Sequence, residues 1–172
     1  FESTVRCCTQ NGVRGGSATV HFPIWHQEIE DILVLKNNKG TEDNRVRKLD
    51  YSIQITKLFY ERFIKNAEIS LFSPNNVPGL YEAFGMPEFD SMYLKYEKDK
   101  SVPRQTIGAQ ELFQALLKER AETGRIYIMN LDHCNTHSSF KDKVYMSNLC
   151  QEITLPTTPV QHIDDKEGEI AL

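Results

Sequence analysis

The chain has 172 residues, a formal net charge of −4, 40% hydrophobic and 26% charged side chains, which suits one domain with a real core. Its mild acidity argues against a nucleic-acid-binding surface, though not against a nucleotide pocket. No apolar run approaches the roughly 18 residues of a membrane span; the longest useful one is Ile32–Leu35.

Four cysteines, Cys7, Cys8, Cys134 and Cys150, show no regular spacing, and no signal peptide precedes them. That reads as a reducing, cytoplasmic setting rather than a disulfide framework. The chain starts at Phe1 rather than Met and stops in Glu169-Ile170-Ala171-Leu172, which looks like an interrupted strand. Both ends lead us to expect an excerpt from a longer polypeptide, here a single partial domain over residues 1–172.

In chain order, Asn11-Gly12-Val13-Arg14-Gly15-Gly16 reads as a tight turn. As a phosphate cradle it lacks the Lys-Ser/Thr pair that follows a P-loop. Residues 17–22 suit a short strand. Pro23 sits where a helix can start, since its missing N–H is not needed there. Trp25, Ile29, Ile32 and Leu33 then fall at helical spacing, up to the loop Asn37–Gly40. A second helix is expected from about residue 43 or 44 to Lys65, burying Val46, Leu49, Ile53, Leu58, Phe59 and Phe63. Residues 68–72 suit a strand, and residues 78–84 and 88–96 two short helices. A third long helix is expected from Gly108 to Ala121, burying Ala109, Leu112, Phe113, Leu116 and Leu117, with Gly124 ending it. Residues 125–130 follow as a strand. Such alternation of helices and strands predicts an α/β layout with parallel strands.

The stretch Ser147–Leu155 carries the chemistry. Read as an extended strand, it puts Asn148, Cys150 and Glu152 in one row, about 7 Å apart at each step. The same alternation fits an ordinary half-buried strand with solvated Asn and Glu. A carboxylate beside a thiol favours neutral S–H over the nucleophilic thiolate. A protonated thiol next to a base suits hydrogen-atom chemistry on a substrate that bears hydroxyls.

Asn148-Leu149-Cys150-Gln151-Glu152-Ile153, followed by Leu155-Pro156-Thr157, resembles the active-site finger loop of the class I ribonucleotide reductase large subunit. The resemblance covers the whole chain. It includes Asn11–Gly16, Leu33–Asn38, Leu71–Pro74, Val77–Tyr81, Thr123–Ile128 and Asp132–His137 in order and spacing, and looks closest to T-even-type phage and enterobacterial versions.

The resemblance implies about half of a ten-stranded α/β barrel, with the finger loop carrying the catalytic Cys through its centre. It implies that Cys150 becomes a thiyl radical that takes the ribose 3′-hydrogen. Glu152 would act as general base on the 3′-hydroxyl, and Asn148 would hold the substrate hydroxyls. The substrate implied is a ribonucleoside diphosphate. No cofactor is expected on this segment. The whole enzyme implies a radical-generating dimetal small subunit, a thioredoxin- or glutaredoxin-type reductant, ATP and dNTP effectors, and a homodimer of the large subunit. On an alignment of Glu167–Leu172 with the family, one cysteine of the reducing pair would be the next residue, so the isolated segment is expected to turn over nothing.

Two other classes compete. His133, Cys134 and His137, with Cys150 as a fourth ligand, suggest a structural metal module, although there is no C-x-x-C pair. A Cys-His hydrolase would pair Cys150 with His133 or His137, against the opposing influence of Glu152.

Overall fold

A computed structural model describes residues 1–157. The first elements are helix α1 (Glu2–Cys7), strand β1 (Thr19–Pro23) and helix α2 (Ile29–Val34). Strand β2 (Asp50–Ile55) and helix α3 (Lys57–Ile64) follow. Next come strand β3 (Glu68–Leu71), helices α4 (Leu80–Ala83) and α5 (Phe89–Lys98), and strand β4 (Gln105–Gly108). Helix α6 (Ala109–Thr123), strand β5 (Ile126–Asn130) and helix α7 (Leu131–Thr136) complete the described elements.

The expected α/β layout with parallel strands is present. β2 lies at the centre of a three-stranded parallel sheet, between β1 and β5. A second, antiparallel ribbon pairs β3 with β4, and one parallel bridge from Phe72 to His26 joins that ribbon to the turn after β1.

The largest departure from the sequence reading is the helix expected over 43–65, which is instead a short 3-10 turn at Glu42–Asn44, then β2, then α3. The physical reason lies in Asp50-Tyr51-Ser52-Ile53-Gln54-Ile55. Every one of these six residues is buried, and they alternate polar and apolar with period two. Two β-branched isoleucines and a tyrosine favour the pleated state, and pairing on both sides outweighs helical propensity. Tyr51, Ile53 and Ile55 face the apolar core; Asp50, Ser52 and Gln54 form a polar row on the other face.

Smaller differences follow similar logic. The helix expected from Pro23 starts only at Ile29, because residues 24–27 bond to the neighbouring strands: Ile24 N–H donates to Gln54 O and Gln27 N–H to Phe72 O. Leu117, expected in the core, is 51% exposed, whereas Ala109, Leu112, Phe113 and Leu116 on the same helix are buried. α6 otherwise matches its expected span, and Gly124 closes it at φ +69°, a left-handed conformation that suits glycine.

The core is aromatic. Phe59 on α3 meets Tyr93 edge-on at 5.5 Å between ring centroids and lies 6.1 Å from Phe89 and 6.4 Å from Phe84. Tyr93 also serves β3 as a substitute for a neighbouring strand. Its hydroxyl donates to Ser70 O at 2.7 Å and accepts from Ser70 N–H at 2.9 Å, while Arg62 stacks over its ring and pairs with Glu97. Tyr93→Phe leaves both Ser70 backbone groups buried without that partner. The expected result is a loss of about 1–3 kcal/mol, read as a lower midpoint in denaturant.

Candidate active site

The polar face of the parallel sheet holds the segment with the candidate chemistry. Thr19 Oγ1 on β1 donates to Leu149 O at 2.7 Å, and His21 Nε2 lies 3.2 Å from Ser147 O. On β2, Ser52 Oγ accepts from Gln151 Nε2, and Gln54 Nε2 donates to Tyr145 O. On β5, Tyr127 is the register partner of Ser52. Burial pushes the Tyr127 phenol above its ordinary range, and the neighbouring Cys150 thiol and Asp50 add to that. Two adjacent strands, β1 and β2, thus grip residues 145–151 at one level, with Tyr127 of β5 beside Cys150.

What they grip is a tight turn, not the extended strand expected over 147–155. Gln151 N–H donates to Asn148 O at 3.2 Å, and Asn148 N–H to Ile153 O at 3.4 Å, so the chain reverses within six residues. Leu149 and Cys150 occupy the two central positions of the turn, and Gln151 follows at φ +64°. A left-handed residue after a turn is a common way to close a hairpin tip. The single-face row of Asn148, Cys150 and Glu152 therefore does not exist as drawn from strand geometry. Reversal, not pleat alternation, brings the three near one tip.

Each candidate residue has a defined place. Cys150 and Glu152 are exposed and Asn148 is half-buried. Among the described residues Glu152 has no hydrogen bond or ion pair, so its carboxylate is available to a ligand. Asn148 helps build the turn itself, because its Oδ1 accepts from Ile153 N–H at 3.0 Å. Its side-chain Nδ2 donor is left for anything that docks at the tip. Two clefts border the turn. Leu149 lines one of about 470 Å³ with Cys8, Gln10, Arg14 and Gly16. Ser147, Gln151 and Thr154 line another of about 330 Å³ with His133 and Cys134. Both fall in the range of small-molecule sites.

The same geometry weakens the competing classes. Among the described residues no three His, Cys, Asp or Glu side chains group as a metal site. His133 and His137 instead meet edge to face at the end of α7, 5.2 Å between centroids. Burial, reinforced by Asp132, pushes the Cys134 thiol up and away from the thiolate that a metal ligand needs. Neither histidine hydrogen-bonds Cys150 among the described residues.

Residues 1–165 match the family model described as the ribonucleotide reductase barrel domain. The chain belongs to the ribonucleotide reductase family. The ribonucleoside-diphosphate reductase subunit alpha of Haemophilus influenzae is 58% identical over 177 aligned positions, spanning all of this chain and 23% of that protein. The ribonucleoside-diphosphate reductase 1 subunit alpha of Escherichia coli K12 is 56% identical, over 93% of this chain and 22% of its own length. The subunit alpha of Enterobacteria phage T4 is 44% identical, over 98% of this chain and 23% of its own length. The chain thus spans less than a quarter of the length of the curated relatives it matches.

For a ribonucleotide reductase segment, the residues that sequence reasoning missed are the grips Thr19, His21, Ser52 and Gln54, and Tyr127 beside Cys150. The period-two alternation of residues 50–55 was the available signal for two of them, since it places Ser52 and Gln54 on one face of a strand. Glu167–Leu172, the segment aligned with a reducing cysteine, lies outside the described residues. No helix among the described residues is long and apolar enough to cross a membrane.

Proposed function

We propose that this chain is the part of a ribonucleotide reductase large subunit that presents the radical-bearing thiol to the substrate ribose. The observation that carries this reading is the turn at 148–153, which holds an exposed Cys150 at its tip with Glu152 free beside it. Cys150, as a thiyl, takes the 3′-hydrogen of a ribonucleoside diphosphate. Glu152 accepts the 3′-hydroxyl proton while the 2′-hydroxyl, protonated by a thiol of the whole enzyme's reducing cysteine pair, departs as water. The Asn148 amide donates to the ribose hydroxyls and keeps them in register with the sulfur.

The turn in this reading is the finger loop of a ten-stranded barrel, of which β1, β2 and β5 are three strands. The polar row Asp50-x-Ser52-x-Gln54 supports it, because a parallel strand covered by helices on both sides would be apolar throughout. The oxidising equivalent comes from a separate dimetal small subunit, since no side chain here generates a radical unaided. Reducing equivalents come from a thioredoxin- or glutaredoxin-type protein, and ATP or dNTP effectors bind elsewhere on the whole large subunit, a homodimer in the cytoplasm.

The test is isotopic. In the full-length subunit with its radical-generating partner, a ribonucleoside diphosphate deuterated at C3′ is reduced more slowly than its protiated form. Reduction that leaves the C3′ hydrogen untouched, with no isotope effect under competition, overturns the assignment.

A further inference from the structure

We propose that His21 is a positioning residue for the Cys150 turn: its neutral imidazole donates Nε2–H to the Ser147 carbonyl, and protonating the ring loosens the turn. This rests on the finger-loop reading given above.

A carbonyl oxygen only accepts, so the 3.2 Å contact to Ser147 O fixes the proton on Nε2. Nδ1 is then a bare lone pair, and it is buried with no hydrogen-bond partner among the described residues. A second proton there would create a buried N–H donor with no acceptor, and a charge away from water. The position of the contact matters as much as its chemistry. Ser147 is where the two arms of the turn meet, since its hydroxyl donates to Ile153 O. His21 is also the register partner of Ser52, which holds Gln151 on the far arm. Neighbouring strands therefore pin both arms at one level, one of them through a histidine, whose ring can take up a second proton.

Burial lowers the pKa of His21 from 6.5, with the Ser147 carbonyl opposing. The titratable and charged side chains on the elements packed against it are Asp50 and Tyr51 on β2 and Cys150 and Glu152 at the turn, with Tyr127 one strand further on. None of these contributes to the shift. The sign follows: the fold favours the neutral ring, so the grip is complete above 6.5 and is lost as pH falls through the lower folded value.

The experiment uses the full-length subunit with its radical-generating partner, comparing the native residue with His21→Gln and His21→Ala. Glutamine keeps a neutral donor near the Nε2 position and cannot titrate. Two readouts are taken from about pH 8 to about pH 5.5: kcat and KM, and backbone hydrogen exchange of residues 145–157 corrected for intrinsic rates. The native subunit is expected to lose kcat severalfold on the acid side with little change in KM, while exchange in the turn accelerates over the same interval. His21→Gln removes both changes, and His21→Ala exchanges faster throughout. If His21→Gln retains the native acid loss and the native exchange profile, the proposal is overturned. The two readings separate cleanly. Exchange that follows His21 in a subunit whose turnover ignores Cys150 sinks the finger-loop assignment but keeps the grip; Cys150-dependent turnover with exchange indifferent to residue 21 does the reverse.

Discussion

Cys150→Ser in the full-length subunit is expected to abolish deoxynucleotide formation, to below detection, while the thermal midpoint stays within experimental error of the native value. The two halves of this expectation have separate causes. Serine offers an O–H bond too strong to serve as a reversible hydrogen-atom carrier, so the change removes the reacting atom rather than slowing a step. The fold is indifferent because Cys150 is exposed and the turn is built from its backbone and from Ser147, Asn148 and Gln151. Surface substitutions of that kind usually move stability by under about 0.5 kcal/mol. Glu152→Gln is the graded companion. It keeps the shape and removes the base, and is expected to lower kcat by about 10²–10⁴-fold. Turnover assays with radiolabelled substrate and a melting curve on the same preparations check both halves. A Cys150→Ser subunit that still makes product removes the assignment.

Phe59→Ala is expected to have the largest effect on stability, about 3–5 kcal/mol. Phe59 is fully buried on α3 and touches three aromatic rings, Phe84, Phe89 and Tyr93. These rings come from two segments, the end of α4 and helix α5, so no single helix can slide in to fill the hole. Truncation loses the transfer free energy of the ring and leaves a cavity whose walls also lose their edge-to-face partners. A fall in the urea midpoint at constant slope would register it. Leu117→Ala on the exposed side of α6 is the contrast, with a change near zero, because that side chain is 51% exposed.

How much of this was legible beforehand varied with how local the deciding forces are. α6 was legible because its apolar stripe, its length and the glycine after it all point the same way, and the structure differs there only at Leu117. β2 was not. Val46, Leu49, Ile53 and Phe59 can be threaded onto a helical wheel, and only the neighbours β1 and β5, distant in sequence, make the extended state win. The candidate chemical residues are drawn from Asn148-x-Cys150-x-Glu152, but their arrangement could not be read from that pattern. Alternating polarity mimics a strand, and a glutamine at positive φ gives none of the glycine or asparagine signal that marks a left-handed position. The grips on β1 gave no signal, and those on β2 only the alternation of residues 50–55: a lone Thr, His, Ser or Gln means little until the sheet aligns them.

Three of those grips close on main-chain oxygens, those of Tyr145, Ser147 and Leu149. Every amino acid carries such an oxygen, so the side chains at 145 and 149 are interchangeable in principle without shifting where the sulfur sits. Variation can therefore retune the walls of the neighbouring clefts, Leu149 among them, while the sheet keeps the Cys150 sulfur at a constant height. Under the proposed function, the segment separates its aim from its selectivity, and the two can drift independently over generations.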